Sequence, residues 1–437
     1  MEMKFYSTNN PALKVDLRRA VTEGLAPDNG LYMPEEIPLL SGDFFRDISK
    51  KSFKEIAFEV ANHLIGDDIS KGELQRIIDH TIQFDAPLVP VEEGIYALEL
   101  FHGPTLAFKD FGARFMSQLL GYFANQQDKE IVILVATSGD TGSAVANGFL
   151  DVPGTKVIVL YPSGKVSEIQ EKQFTTLGKN ITALEVDGTF DDCQRLVKQA
   201  FLDRELNAKL FLTSANSINI ARLIPQSFYF FYAYSRLQRY GKPIVFSIPS
   251  GNFGNLTGGL LALKMGLPVS KFVASTNIND VVPEYLMSRQ FNPRSSEQTI
   301  SNAMDVGNPS NFARIMDLFQ NDFDRVTELI SGYAFTDEET RVAMRHVFAA
   351  NAYVMDPHGA VAYLGLKKYI KESGADVLGV FAETAHPAKF RDVVEATLSS
   401  PVAIPEKLLK FMALSKNVIE MPASYDAFKK ILADTLG

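Results

Sequence analysis

The stretch Ile131-Val132-Ile133-Leu134-Val135-Ala136-Thr137-Ser138-Gly139-Asp140-Thr141-Gly142-Ser143 decides the fold class of this chain. Its first six residues are apolar without a break, as in a strand covered on both faces, and a Thr/Ser/Gly turn then leads into a helical pattern over 142–150. The unit repeats outward: strand 156–161 with helix 167–177, strand 181–186 with helix 190–204, and a further strand at 210–213. A helix over 219–240 opens a second series, with strands at 243–248, 272–276 and 377–382 and helices at 255–265, 338–350, 359–371 and 387–397. Such alternation predicts an α/β protein with two open, twisted, mostly parallel sheets flanked by helices.

The remaining segments set the expected domains. Residues 1–90 read as a mixed N-terminal region, with turn residues in Leu25-Ala26-Pro27-Asp28-Asn29-Gly30-Leu31-Tyr32 and helical spacing at 53–64 and 72–81. Residues 131–215 form a small α/β domain, and 91–130 with 216–437 a larger one. The stretch 289–311, rich in Asn, Ser and Pro, reads as a long functional loop inside the second series.

A chain of 437 residues, 46% hydrophobic and 22% charged, has room for two or three packed units. Its net charge of -9 argues against a nucleic-acid surface while leaving room for a local cationic pocket. The start, Met1-Glu2-Met3-Lys4-Phe5-Tyr6, lacks the apolar core of a signal peptide, and no run reaches membrane-spanning length. The aromatic patch 228–234 reads as a buried helix. The single cysteine, Cys193, excludes an internal disulfide framework, fits a reducing cytoplasm, and has the spacing of a small core residue. Six histidines without a Cys/His cluster give no metal site.

The chemistry starts at His102-Gly103-Pro104-Thr105-Leu106-Ala107-Phe108-Lys109-Asp110-Phe111-Gly112, which sets one lysine among apolar and glycine neighbours at the start of an amphipathic helix. Partial desolvation there lowers a lysine's pKa and lets the neutral amine attack a carbonyl; the plainer alternative is a solvated lysine at a helix start. The loop Ser250-Gly251-Asn252-Phe253-Gly254-Asn255 lies between an apolar strand and a helix. Its glycines allow close approach of backbone N–H groups to a phosphate, and an unliganded tight turn is the other reading. It is neither a dinucleotide fingerprint nor a Walker A loop. Lysine and phosphate cradle together suggest pyridoxal 5'-phosphate.

Three further junctions are candidates. In 137–143, hydroxyls such as those of Ser138 and Thr141 suit a carboxylate or a second phosphate, or the turn is an N-cap made by Asp140 or Thr141. Asn216 and Arg222, near the start of a helix, suit a phosphate ester, unless Arg222 is a surface arginine paired with an acid. Thr384 lies past the C-terminal end of strand 377–382, where open α/β sheets bind ligands, and offers a hydroxyl to a ring nitrogen or caps the helix ahead of Pro387. His358, at a helix start, reads as structural.

In the order of these elements the chain resembles the threonine synthase family of fold-type II pyridoxal-phosphate enzymes, whose fold is tryptophan synthase β-like. The resemblance runs through Gly24-Leu25-Ala26-Pro27-Asp28-Asn29-Gly30-Leu31-Tyr32-Met33-Pro34, residues 102–112, 136–142, 216–222 and 249–255, Ser301-Asn302-Ala303-Met304-Asp305-Val306, and 384–390. Cysteine synthase and serine dehydratase carry different surroundings at the lysine. The resemblance implies Lys109 as the Schiff-base lysine, 250–255 as the cofactor-phosphate site and Thr384 as the partner of the pyridine nitrogen. It implies conversion of O-phospho-L-homoserine and water to L-threonine and phosphate, by a cytoplasmic monomer or homodimer, with Ser138, Thr141, Asn216 and Arg222 as candidates for the substrate's anionic groups. Many fold-type II enzymes carry asparagine where Asp140 stands, and a carboxylate beside an ionised ring oxygen repels it unless a proton is shared. The branch with the long N-terminal region is similar at this aspartate. Two rival readings are a phospho-lyase releasing a ketoacid and ammonia, and a non-catalytic phosphometabolite-binding protein.

Overall fold

The computed structural model describes residues 3–124 and 130–436. The start at Met1-Glu2 and the span 125–129, assigned to the larger unit, lie outside the described residues. Strands β1 (Lys4–Ser7), β2 (Asn10–Asp16) and β3 (Tyr32–Pro34) make a small antiparallel sheet in the order β2-β1-β3. Helices Phe53–Ile65 and Lys71–Thr81 follow, each capped by a serine, Ser52 and Ser70, that accepts a backbone N–H of the first turn.

The strand-helix alternation builds two larger sheets. Strands β4 (Leu88–Glu92) and β5 (Ile95–Glu99) form a hairpin. Strands β6 (Ile131–Ala136), β7 (Thr155–Pro162), β8 (Ile181–Asp187) and β9 (Phe211–Ser214) come next. Strands β10 (Ile244–Pro249), β11 (Lys271–Thr276), β12 (Ile330–Ala334), β13 (Leu378–Glu383) and β14 (Ile419–Pro422) complete the set. The larger sheet runs β12-β11-β10-β13-β5-β4 and the smaller β14-β8-β7-β6-β9. All pairings in the smaller sheet are parallel, and in the larger only β4 runs antiparallel. Pro90 is tolerated because β4 is an edge strand. Every residue of β6, β10 and β13 is buried, the outcome of helices on both faces.

Strand order places the ligand crevices. In the larger sheet, β11 continues from β10 on one side and β13 lies on the other; in the smaller, β7 and β9 flank β6 in the same way. Both are switch points, where the loops leaving neighbouring C-terminal strand ends diverge. The loops concerned are 250–255 and 384–386 in one sheet, and 137–140 and 215–219 in the other.

Several elements differ from the sequence reading. Residues 216–437 do not all join the larger unit: β14 pairs with β8, Ile419 opposite Leu184. This covers an edge of the smaller sheet, and Phe428 and Leu432 from helix Tyr425–Leu436 pack near Cys193 and Leu196. The helix expected over 219–240 is broken at Pro225, which lacks an N–H, into Ile220–Leu223, a 3-10 turn Ile224–Ser227 and Phe228–Leu237. The stretch 289–311 carries no regular element beyond the 3-10 turn Asn302–Met304. Among the described residues no helix is long and apolar enough to cross a membrane, and no group of three or more His, Cys, Asp or Glu is placed to hold a metal.

Candidate active site around Lys109

Lys109 is fixed by a loop stitched to the end of β13. Leu100 N–H donates to Glu383 O (2.9 Å), Phe108 N–H to Thr384 O (2.8 Å) and His386 N–H to Leu106 O (3.0 Å), with Ala107 and Ala385 forming an antiparallel bridge. The Thr105 N–H and hydroxyl both donate to the buried Asp110 carboxylate (2.9 and 2.7 Å). Helix Lys109–Ala124 therefore starts beside Thr384. Lys109 is half-buried. Desolvation pulls its amine from 10.5 down to about 8, with the Lys389 and Arg222 charges pushing the same way and Asp140 opposing.

From the smaller sheet comes Asp140. The Thr137 hydroxyl accepts the N–H groups of Gly139 (2.9 Å) and Gly142 (2.8 Å), so Thr137 closes this turn and neither Asp140 nor Thr141 caps it. Gly139 has φ 136° and a Cβ there would stand 2.6 Å from Gln170 Cδ, so the turn requires glycine. Asp140 Oδ1 receives Lys389 Nζ at 2.6 Å and Gln170 Nε2 at 2.8 Å. Burial would raise its pKa, but the Lys389 and Lys109 charges outweigh that and hold the carboxyl well below the usual range. Ser138 and Thr141 are half-buried, and among the described residues neither hydroxyl has a hydrogen-bond partner.

Arg222 and the 250–255 loop are both tied to the segment 215–217. Arg222 is not the surface arginine that one reading allowed: it is buried, its Nη1 donates to Ala215 O (2.6 Å), its Nε has no partner, and burial brings it down to about 10. Its Nε would stand 2.8 Å from a Cβ on Gly112, one turn along the helix from Lys109. Asn216 is half-buried with Oδ1 unpartnered. Asn252 Nδ2 donates to Ser217 Oγ (2.5 Å), while Asn252 Oδ1 accepts Ser310 N–H (2.6 Å) and its carbonyl accepts Asn311 Nδ2 (3.0 Å). Asn252 is thus a strut between two chain segments. The Ser250 hydroxyl turns back to Ile248 O (3.0 Å). Phe253, at φ 60°, turns the chain into helix Gly254–Lys264. Asn255 Oδ1 accepts the Tyr229 hydroxyl (2.6 Å), leaving Asn255 Nδ2 buried and unpartnered in the first helical turn. Ser247 lies opposite Phe381, so the loop leaving β10 and Thr384 leaving β13 stand at adjacent strand ends. A cavity of about 750 Å³ behind helix Lys109–Ala124, lined in part by Arg76, His80 and Arg114, holds none of these groups.

Residues 82–383 match the family described as pyridoxal-phosphate dependent enzyme, residues 4–82 the threonine synthase N terminus and residues 359–432 the threonine synthase C-terminal family. Threonine synthase from Escherichia coli is 44% identical over 431 residues, 98% of this chain and 99% of that protein. The chain belongs to the threonine synthase family. The Haemophilus influenzae threonine synthase is 46% identical over 409 residues, 93% of this chain and 94% of its own. The E. coli crystal structure superposes with a TM-score of 0.92 over 99% of this chain and 100% of that one. A PLP-bound threonine synthase from Brucella melitensis, 32% identical, gives 0.93 over 99% of each. The α/β fold is that of the fold-type II enzymes.

The turn after β10 offers donors that fit an anionic group such as the phosphate of the family's cofactor. An anion at the start of the eleven-residue helix Gly254–Lys264 would meet first-turn N–H groups that lack intrahelical acceptors, together with the orphaned Asn255 Nδ2. Two groups escape a reading of the sequence. Lys389 is fully buried, and nothing local marks it as the partner of Asp140. The segment 301–304 lies against the loop, since a Cβ on Gly251 would come within 2.7 Å of Met304 Cα. The block Ser301-Asn302-Ala303-Met304 carries the signal for it, but only as a family resemblance. His358 has a structural place: its Nδ1 meets Asp356 Oδ1 at 2.6 Å and its Nε2 accepts Ala303 N–H at 3.2 Å.

Proposed function

We propose that this chain is a pyridoxal 5'-phosphate-dependent lyase that converts O-phospho-L-homoserine and water to L-threonine and phosphate, by γ-elimination followed by addition of water at the β-carbon. The observation that carries the reading is a lysine whose amine is brought down to about 8 by burial, stitched to Thr384 at the end of one strand, while the next strand ends in a glycine-lined loop with an unsatisfied buried donor. When bound, the cofactor supplies an aldehyde for covalent capture of amines and a ring that withdraws electron density.

The chain's own groups divide the remaining work. Lys109 Nζ would hold the cofactor through its aldehyde, and as a free amine it would take and return the proton at the substrate α-carbon. The backbone of 250–255, with Asn255 Nδ2, grips the cofactor phosphate. Thr384 is the residue whose neutral hydroxyl would meet the cofactor's ring nitrogen, where, unlike a carboxylate, it would not keep that nitrogen protonated and so would limit electron storage and disfavour amino transfer. Ser138, Thr141 and Asn216 are the residues assigned to the substrate's anionic groups, with the two free hydroxyls and the Asn216 Nδ2 as donors. Arg222 contributes positive charge to the leaving phosphate. The reading is of a monomer or a homodimer in the cytoplasm, acting on a small molecule with neither nucleic acid nor membrane as partner; the net charge of -9 supports the absence of a nucleic-acid surface.

Product analysis with O-phospho-L-homoserine tests the reading. Equal amounts of threonine and phosphate are expected. A ketoacid with ammonia would make the chain a phospho-lyase, and a protein with no turnover and no borohydride-reducible chromophore would be a binding protein.

A further inference from the structure

The buried ion pair between Lys389 and Asp140 needs a reason. Two charges taken out of water are costly to bury, and a well-packed apolar pair is often as stable. Lys389 Nζ reaches Asp140 Oδ1 at 2.6 Å and also donates to Thr105 O at 2.9 Å, in the loop that sets Lys109. Its side chain is 0% exposed and that of Asp140 6%. Asp140 stands on the smaller sheet's helix and Lys389 on the 3-10 turn Pro387–Phe390 after β13, so the pair spans the two sheet units.

The charged groups that bear on Lys109 are Asp140, Lys389 and Arg222, from three different elements. The neighbouring Asp110 carboxylate is taken up by Thr105. Asp140 is therefore the anion able to claim the Lys109 amine, and a carboxylate beside a buried amine holds it as ammonium. An ammonium has no lone pair for a carbonyl. In the capture step the Nζ lone pair bonds to the aldehyde carbon, and the aldehyde oxygen leaves as water with the two amine hydrogens, so the amine must enter uncharged.

Resting on the function proposed above, we propose that Lys389 is a positioning residue that keeps Asp140 in an ion pair of its own and so enlarges the uncharged share of the Lys109 amine that is competent for carbonyl capture.

The test reads two pH profiles: the rate at which cofactor-free protein captures added pyridoxal 5'-phosphate, followed by visible absorbance, and kcat/KM of the holoenzyme. Lys389→Met should move the acid limb of capture up by about one to two pH units, a loss of about tenfold or more at neutral pH that is recovered in alkaline buffer. Asp140→Asn should move it the other way, and the double variant should return it towards wild type. Lys389→Arg, which keeps the charge, should stay close to wild type. A structural role alone would lower the plateau without opposite shifts, and that result overturns the proposal. If Lys389→Met does not fold, Asp140→Asn still decides: an unmoved acid limb overturns it. Borohydride reduction of the wild-type holoenzyme separates the two levels, since cofactor fixed on another residue defeats the site reading, whereas cofactor fixed on Lys109 with unmoved limbs defeats the Lys389 role only.

Discussion

The N–H of Phe108 donates to the carbonyl of Thr384 at 2.8 Å, so the residue before Lys109 is joined to the residue proposed to face the cofactor's ring nitrogen. With the Ala107 and Ala385 bridge beside it, this short antiparallel contact fixes the start of helix Lys109–Ala124 relative to the sheet. The backbone positions from which the amine and the hydroxyl project are thereby held fixed relative to each other, which is the first requirement of preorganised covalent chemistry.

Removing the amine while leaving that backbone contact in place isolates the chemistry. Lys109→Ala should lower turnover by about a thousandfold or more and abolish borohydride fixation of cofactor, because capture and α-proton transfer go together. Circular dichroism should be unchanged, since no side-chain hydrogen bond of the fold is lost. Retained turnover would remove Lys109 from the mechanism.

Much of this site is legible in the sequence because it lies at junctions between apolar strands and helices. The runs at β6, β10 and β13 are uninterrupted, so the turns after them at 137–140, 250–255 and 384 announce themselves. Pairing across the chain is not legible. Lys389 and Asp140 meet only because two sheets from distant segments close on each other, and neither residue carries a local signal of its partner. The sequence of β12, Ile330-Ser331-Gly332-Tyr333-Ala334, is interrupted by a serine and a glycine, and β14 has one buried residue, Met421, so neither presents the apolar run that marks a parallel strand. Thr137 as the turn-closing residue is hidden by the better-placed Asp140, whose carboxylate is drawn away by Lys389.

The closeness of the 301–304 segment to the loop makes Gly251 a second test. A Cβ there would stand 2.7 Å from Met304 Cα and 2.8 Å from Ala303 O, both backbone atoms that cannot rotate aside. Forcing them apart costs about 1–3 kcal/mol, which falls on the loop proposed to grip the phosphate. Gly251→Ala should therefore weaken cofactor binding by about tenfold or more in equilibrium dialysis, since each 1.4 kcal/mol is tenfold. Gly72→Ala, with nothing within 4 Å, is the control and should bind normally. Equal affinities in the two variants would separate the loop from the cofactor.

Cys193 gives a test of packing independent of the site. It is buried between the smaller sheet and helix Tyr425–Leu436, and desolvation, helped by Asp192, pushes its thiol up to about 12. Thiol reagents react with the thiolate. The native protein should resist a disulfide reagent at pH 8, and labelling should follow the unfolding transition in denaturant. Truncation before β14 should expose the thiol. Rapid labelling of the intact native chain would contradict the docking of that helix.

The last prediction follows from the sign of the Lys109 shift. In the unfolded chain the amine titrates at its ordinary 10.5, and in the folded chain burial brings it to about 8. Between those values the unfolded state binds the proton and the folded state does not, so the stability of cofactor-free protein rises with pH across this window. The contribution is fully present above 10.5 and is lost as the pH falls to 8. Lys109→Met removes the titration and keeps most of the volume. The difference in denaturant midpoint between wild type and Lys109→Met should therefore shift in favour of wild type from pH 8 to pH 10 and stay flat from pH 6 to pH 7. A difference that is flat throughout would mean that the amine is hydrated in the cofactor-free protein, and its readiness to attack a carbonyl would then need a source other than burial.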